Sequence, residues 1–97
     1  MQKIWICGAG GRVGRQMARL LDKKPVELLL TDIDSVDITN SKEVMEYAGI
    51  NRPHVIVNCA GLTDVRMCEA EPERAFLVNA LGPRNLSVAA RVVKARL

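Results

Sequence analysis

The segment KIWICGAGGRVG, from Lys3 to Gly14, constrains this chain more than any other. An apolar run, Ile4 to Cys7, feeds straight into glycines, and helix-like sequence follows from Val13 to Lys23. A backbone that turns this sharply and then lies against a ligand tolerates no Cβ at the points of contact. The helix start behind it presents unpaired N–H groups and the positive end of its dipole. Glycines alone would mark only a turn. With a strand before them and a helix after, they predict a site for a diphosphate-bearing dinucleotide. Gly8, Gly11 and Gly14 fit G-x-x-G-x-x-G, whereas the related pattern G-x-G-x-x-G would need glycine where Val13 stands. No Gly-Lys-Ser/Thr follows, which excludes a Walker-type loop.

Ninety-seven residues suffice for one small domain, taken as residues 1–97. Hydrophobic residues make up 48% and charged residues 26%, the balance of an ordinary globular chain. No apolar run reaches the length of a bilayer, and no signal peptide precedes the first strand, so no membrane partner is expected. Cys7, Cys59 and Cys68 are odd in number and lack metal-ligand spacing. They read as free thiols, with Cys7 and Cys59 buried at strand ends, in a reducing cytoplasm, and no metal is expected. A net charge of +3 invites a nucleic-acid reading, but one Trp, one Tyr and one Phe offer no stacking platform. The basic tail, Arg84, Arg91, Lys94 and Arg96, reads as a solvated helix face.

Along the chain, Val13, Met17, Leu20 and Leu21 put one apolar stripe on the first helix, and Pro25 stops it. Val26 to Leu30 reads as a strand covered on both faces. Asp32 follows at about the ~20-residue distance at which a dinucleotide site carries its acid. A carboxylate there accepts hydrogen bonds from both hydroxyls of the adenosine ribose, each worth about 1.5–3 kcal/mol. A 2′-phosphate would meet like charge, a juxtaposition that costs several kcal/mol, and Ile33 stands where a base would help hold it. NAD(H) is therefore favoured over NADP(H). Val36 to Thr39 suggests a brief edge strand. Asn40 to Glu43 resembles a capping box for a helix that carries Val44, Tyr47 and Ala48, with Gly49 and Pro53 ending it. His54 to Val57 reads as a further buried strand, with His54 in a structural role at its entrance. Asn58-Cys59-Ala60-Gly61 leaves that strand where ligands lie in open parallel sheets, although a plain strand-to-loop turn reads equally well. Glu73 to Ala95 is helical, with Ala75, Val78, Leu86, Ala89, Ala90 and Val93 on its core face and an interruption at Gly82-Pro83. Asn79 lies within it, where a polar side chain ordinarily satisfies local backbone.

Four blocks, CGAGGRVG, TDIDSVDIT, RPHVIVNCAGLTDVRMCEAEPERA and VNALGPRNL, carry a resemblance. The chain resembles the N-terminal part of the dTDP-4-dehydrorhamnose reductases, members of the extended short-chain dehydrogenase/reductase superfamily. The resemblance implies that Gly8, Gly11, Arg12, Val13 and Gly14 hold the diphosphate and Asp32 the ribose. It implies that Asp37 and Ile38 contact adenine, that Cys59, Ala60 and Gly61 line the cofactor, and that Thr63 lies near the nicotinamide ribose. Asn79 matches an asparagine that supports the active-site network. Leu62 and Gly61 depart from the family, which commonly has an aromatic and an alanine there.

Family catalysis also needs Tyr-x-x-x-Lys, and the sole tyrosine, Tyr47, is followed at position 51 by Asn51. The chain thus reads as the dinucleotide-binding part of an NAD(P)-dependent reductase whose substrate is a nucleotide-sugar ketone. By itself it is expected to be inactive. A non-catalytic regulatory module on the same fold is the alternative. The expected fold is α/β: a three-layer, Rossmann-type, mostly parallel sheet of order 2-1-3 flanked by helices, with right-handed connections. The last strand should keep an open edge, which predicts a homo-oligomer paired there or through the Glu73–Ala95 helix. Asp32→Ala is expected to narrow the preference for NAD(H); an unchanged NADH-to-NADPH affinity ratio in paired titrations contradicts the role of the acid.

Overall fold

The computed structural model describes residues 1–60 and 71–97. Gly61, Leu62, Thr63 and Cys68 lie outside the described residues. The elements in chain order are β1 (Gln2–Cys7), α1 (Arg12–Leu21), β2 (Val26–Thr31), α2 (Ser41–Asn51), β3 (Val55–Asn58), α3 (Pro72–Phe76), a π-helical turn (Leu77–Leu81) and α4 (Gly82–Val93). The strands form one parallel sheet in the order β2-β1-β3, as the sequence predicts. Their registers place Cys7 opposite both Thr31 and Asn58, so all three strands end at one level.

Side chains alternate across β1 and divide the core in two. Trp5 and Cys7 face α2 and α4, where Val44, Ala48, Leu86, Ala89 and Ala90 close over them together with Ile56. The Tyr47 ring lies 4.6 Å from the Trp5 ring, centroid to centroid, at 40°. The Trp5 indole N–H donates to the Thr31 hydroxyl at 2.8 Å, which satisfies the one polar atom that the fully buried ring carries. Ile4 and Ile6 are buried on the other face, the one left to α1, which packs against β1 and β2.

Several expectations change. Only Met17 and Leu21 of the α1 stripe are half-buried; Val13 and Leu20 are exposed, because the sheet beneath α1 is narrow. Strand β2 is not covered on both faces: it is an edge strand and Leu30 is half-exposed. Its outer neighbour is absent because Val36–Thr39 forms no strand. Hydrogen bonds from the Ser35 and Val36 amides to the Asp32 carbonyl, both 2.9 Å, fold that segment back on itself. Its apolar side chains, Val36 and Ile38, enter the core instead of extending the sheet.

Asn40 caps α2 by accepting from the Glu43 amide at 3.2 Å, but Glu43 returns its own carboxylate to the Asp37 amide, so the box is only half made. Helix α2 runs through Gly49 and stops at Arg52, which takes the left-handed conformation (φ 50°) before Pro53. At the third strand His54 Nδ1 accepts from the Lys3 amide at 2.8 Å, a structural role. The interruption expected at Gly82-Pro83 takes the form of the π-helical turn Leu77–Leu81 just before it. Gly82 N–H reaches back five residues to the Leu77 carbonyl, and α4 follows without a gap. This wider turn accommodates Pro83, which has no N–H to give. The edge of β3 is also less open than expected. The Ile56 amide donates to Arg96 at 2.7 Å and the Arg96 amide to His54 at 2.9 Å, a parallel bridge that covers the first half of the strand.

Two substitutions measure these packing choices by urea unfolding. Thr31→Val leaves the Trp5 N–H buried without an acceptor and is expected to cost about 1–3 kcal/mol. Gly49→Ala places a methyl in open space within α2 and is expected to gain about 0.5–1 kcal/mol.

Candidate functional site

The common level at which β1, β2 and β3 end brings three connections together: the glycine loop, the segment from Asp32 to Ile38, and the turn through Cys59 and Ala60. Between them lies a cleft of about 200 Å³. That is below the ~300–1,000 Å³ of a whole small-molecule site and suits one part of a larger ligand. Of the residues expected to bind, Gly8, Gly11, Asp32, Asp37, Ile38, Cys59 and Ala60 line it.

The glycine loop is built by close approach. Gly8 has φ +72°, and a Cβ there would sit 2.6 Å from the Ala60 amide nitrogen. The Gly11 amide closes a turn onto the Gly8 carbonyl at 3.1 Å, and the Ala9 amide donates to Thr31 at 3.0 Å. Gly14 is buried in α1 because the Gly8 carbonyl occupies the place of its missing side chain. It lets the helix sit against the loop and does not line the cleft. Arg12 and Val13 are exposed at the helix start, outside the cleft lining. What they offer is backbone: α1 begins at Gly11 with no side-chain cap and no acid in its first turn, so its first N–H groups are available to an anion.

Asp32 stands at the tip of β2. Its Oδ2 accepts from the Gly10 amide at 3.0 Å and its Oδ1 from the Ile33 amide at 3.1 Å. Each oxygen keeps a further lone pair for a ligand hydroxyl. Gly10 belongs to no spacing singled out in the sequence, yet a Cβ on it would strike the Asp32 carboxylate. Asp37 also turns inward: its Oδ1 accepts from the Thr39 amide at 3.0 Å and the Thr39 hydroxyl at 2.7 Å. Its carboxylate therefore holds the loop that carries Ile38 to the cleft. Ile38 in turn fills the space that a Cβ on Gly82 would need, which ties this wall to α4.

Four lining residues were not legible as such: Ile33, Val36, Arg74 and Val78. Val36 and Val78 read as ordinary apolar positions, and Arg74 lies far from any glycine motif. Asn79 is exposed on the π-helical turn and is not part of the cleft lining.

The thiols are chemically quiet. Burial pushes Cys7 up to about 12, with the neighbouring Cys59 raising it further and a hydrogen bond to Thr31 opposing, so it is neutral at physiological pH. Cys59 is half-buried and also raised by burial. Tyr47 is raised by burial and by Cys7, the reverse of what a proton-donating phenol needs. Among the described residues no cluster of His, Cys, Asp and Glu is arranged to hold a metal ion, and no helix is long and apolar enough to cross a membrane.

Residues 1–97 match the family model described as the RmlD substrate binding domain. The dTDP-4-dehydrorhamnose reductase of Streptomyces griseus is 39% identical over 92 residues, which are 95% of this chain and 30% of that protein. The crystal structure of a dTDP-4-dehydrorhamnose reductase from Clostridium acetobutylicum superposes with a TM-score of 0.92 at 41% identity, over 97% of this chain and 34% of that one. The Bacillus anthracis reductase, solved in complex with NADP, gives 0.91 at 35% identity over 98% and 34%. The chain thus spans about a third of the length of the relatives it matches.

Gly10→Ala separates site from fold. Its methyl meets only the end of the flexible Asp32 side chain, so folding should persist while the carboxylate is displaced. NADH affinity measured by fluorescence titration is expected to fall about tenfold. Full affinity in a folded Gly10→Ala chain contradicts the placement of Asp32 at the ligand.

Proposed function

Because the chain belongs to the RmlD substrate binding domain family, we propose that it is the cofactor-binding part of an NAD(P)-dependent reductase that acts on a nucleotide-sugar ketone. The parent activity is that of a dTDP-4-dehydrorhamnose reductase, the activity its relatives carry. The observation behind this reading is the Asp32 carboxylate, fastened to the glycine loop at Gly10 and exposed at the rim of the cleft.

In this reading the N–H groups of the α1 start at Arg12, Val13 and Gly14 take the pyrophosphate, and Gly8 and Gly11 let it lie close to the loop backbone. Asp32 accepts the two ribose hydroxyls, which favours NAD(H). Adenine lies between Val36 and Ile38 on one side and Val78 on the other, with Asp37 holding the loop. Cys59, Ala60, Gly61 and Thr63 follow the cofactor towards nicotinamide, and Asn79 supports the reacting end. The bound dinucleotide supplies the hydride; the residues of this chain bind and orient it. The proton donor is outside this sequence, since Tyr47 is packed on Trp5 and has no lysine four residues on. The packing of that tyrosine is also what a non-catalytic regulatory module would display, and that is the second reading.

Two features of the setting belong to the proposal. Free thiols at Cys7 and Cys59 suit a cytoplasmic protein. The part of β3 beyond the Arg96 bridge, with Val88 and Val92 exposed on α4, suits self-association. Calorimetric titration with NADH and NADPH tests the core of the reading. The 97-residue chain is expected to bind dinucleotide weakly, NADH more tightly, and to reduce no sugar. Absence of binding to either cofactor overturns the proposal, and turnover by the isolated chain overturns the assignment of catalysis to other residues.

A further inference from the structure

Among the described residues three charged side chains line the cleft: Asp32, Asp37 and Arg74. Both acids already accept from the protein, Asp32 from the Gly10 amide of the first loop and the Ile33 amide, and Asp37 from the Thr39 amide and hydroxyl. Arg74 is exposed on α3, and its guanidinium makes no ion pair or hydrogen bond with a described residue. Its place is nonetheless fixed. Ala75 beside it is buried, and Val78, four residues on, lines the same cleft, so one side of the helix is turned towards the ligand space. The wall carrying Asp32 and Ile33 comes from the tip of β2; the wall carrying Arg74 comes from the chain after β3.

A guanidinium that lines the cleft with no partner among the described residues is a receptor for an anion on the ligand. The pyrophosphate has its own donors at the α1 start. The remaining anion that distinguishes one nicotinamide dinucleotide from the other is the 2′-phosphate on the adenosine ribose. Resting on the dinucleotide reading above, the geometry points to Arg74 as a cofactor-specificity residue. Its planar fork pairs with the 2′-phosphate of NADP(H) and offsets the repulsion from Asp32. Cofactor choice is then a balance of two opposed charges on separate elements. The residue after Asp32, where a base would ordinarily act on this phosphate, is the apolar Ile33, so the cation arrives from across the cleft.

Calorimetric titration of the whole chain with NADH and with NADPH tests this, in the wild type, Arg74→Ala and Arg74→Lys. Arg74→Ala is expected to weaken NADPH about tenfold while changing NADH much less. Arg74→Lys, which keeps the charge and loses the fork, should restore part of the NADPH affinity. Added salt should weaken NADPH more steeply in the wild type than in Arg74→Ala. An NADPH-to-NADH affinity ratio that is the same in Arg74→Ala and wild type overturns the inference and leaves the dinucleotide site standing. A wild type that binds neither cofactor removes the site itself and the inference with it.

Discussion

The hydrogen bond from the Gly10 amide to the Asp32 carboxylate joins the two parts of the chain on which everything else depends. It links the loop that ends β1 to the residue that ends β2, across the mouth of the cleft. The bond is possible only because β1 and β2 run parallel and stop together at Cys7 and Thr31. It also needs a residue without a side chain at position 10. A carboxylate that would otherwise swing in solvent is thereby held where a sugar hydroxyl can reach it. The same bond brings the loop and the acid into one unit, which would meet the diphosphate and ribose of the proposed dinucleotide at a fixed separation.

Beneath this rim the core is arranged to keep the strand ends level. Trp5 is fully buried at the centre of the sheet, hydrogen-bonded to Thr31 and in contact with the Tyr47 ring. One side chain thus fixes the positions of β2 and α2 relative to β1. Thr31 comes directly before Asp32, so the anchoring of the indole and the placing of the acid are adjacent events on one strand. On the other wall, Ile38 fills the hollow above Gly82, and the position of α4 becomes a condition for the position of the cleft wall that Ile38 and Val78 line. Tyr47 is itself a piece of this packing.

Much of this was legible in the sequence because it is local. The strand–glycine–helix order, the three strands, the acid after β2 and the strand order follow from periodicity and spacing, and seven of the residues expected at the ligand line the cleft. The misses come from a local turn, from a glycine that a helix tolerates, and from contacts between distant segments. Val36–Thr39 alternates like a strand, yet the turn that the Ser35 and Val36 amides make onto the Asp32 carbonyl decides its path. Gly49 looked like a helix end, but nothing crowds it and the helix passes through to Arg52. Gly10 and Arg74 left no signal, since the importance of each is set by a partner or a wall formed elsewhere in the chain. Arg96 lies where a solvated helical tail was expected: its side chain is exposed, but its backbone has left the helix and pairs with β3.

The central claim is that the amides of the first loop and the acid at the tip of β2 grip one dinucleotide. Backbone amide resonances of the isotopically labelled chain, followed while NADH is added, test it most directly. The account predicts that the amides of Gly8 to Gly14, Asp32 to Ile38 and Cys59 to Ala60 shift together with one saturation curve. Shifts confined to other surfaces, or a glycine loop that stays unperturbed at saturating NADH, would contradict it.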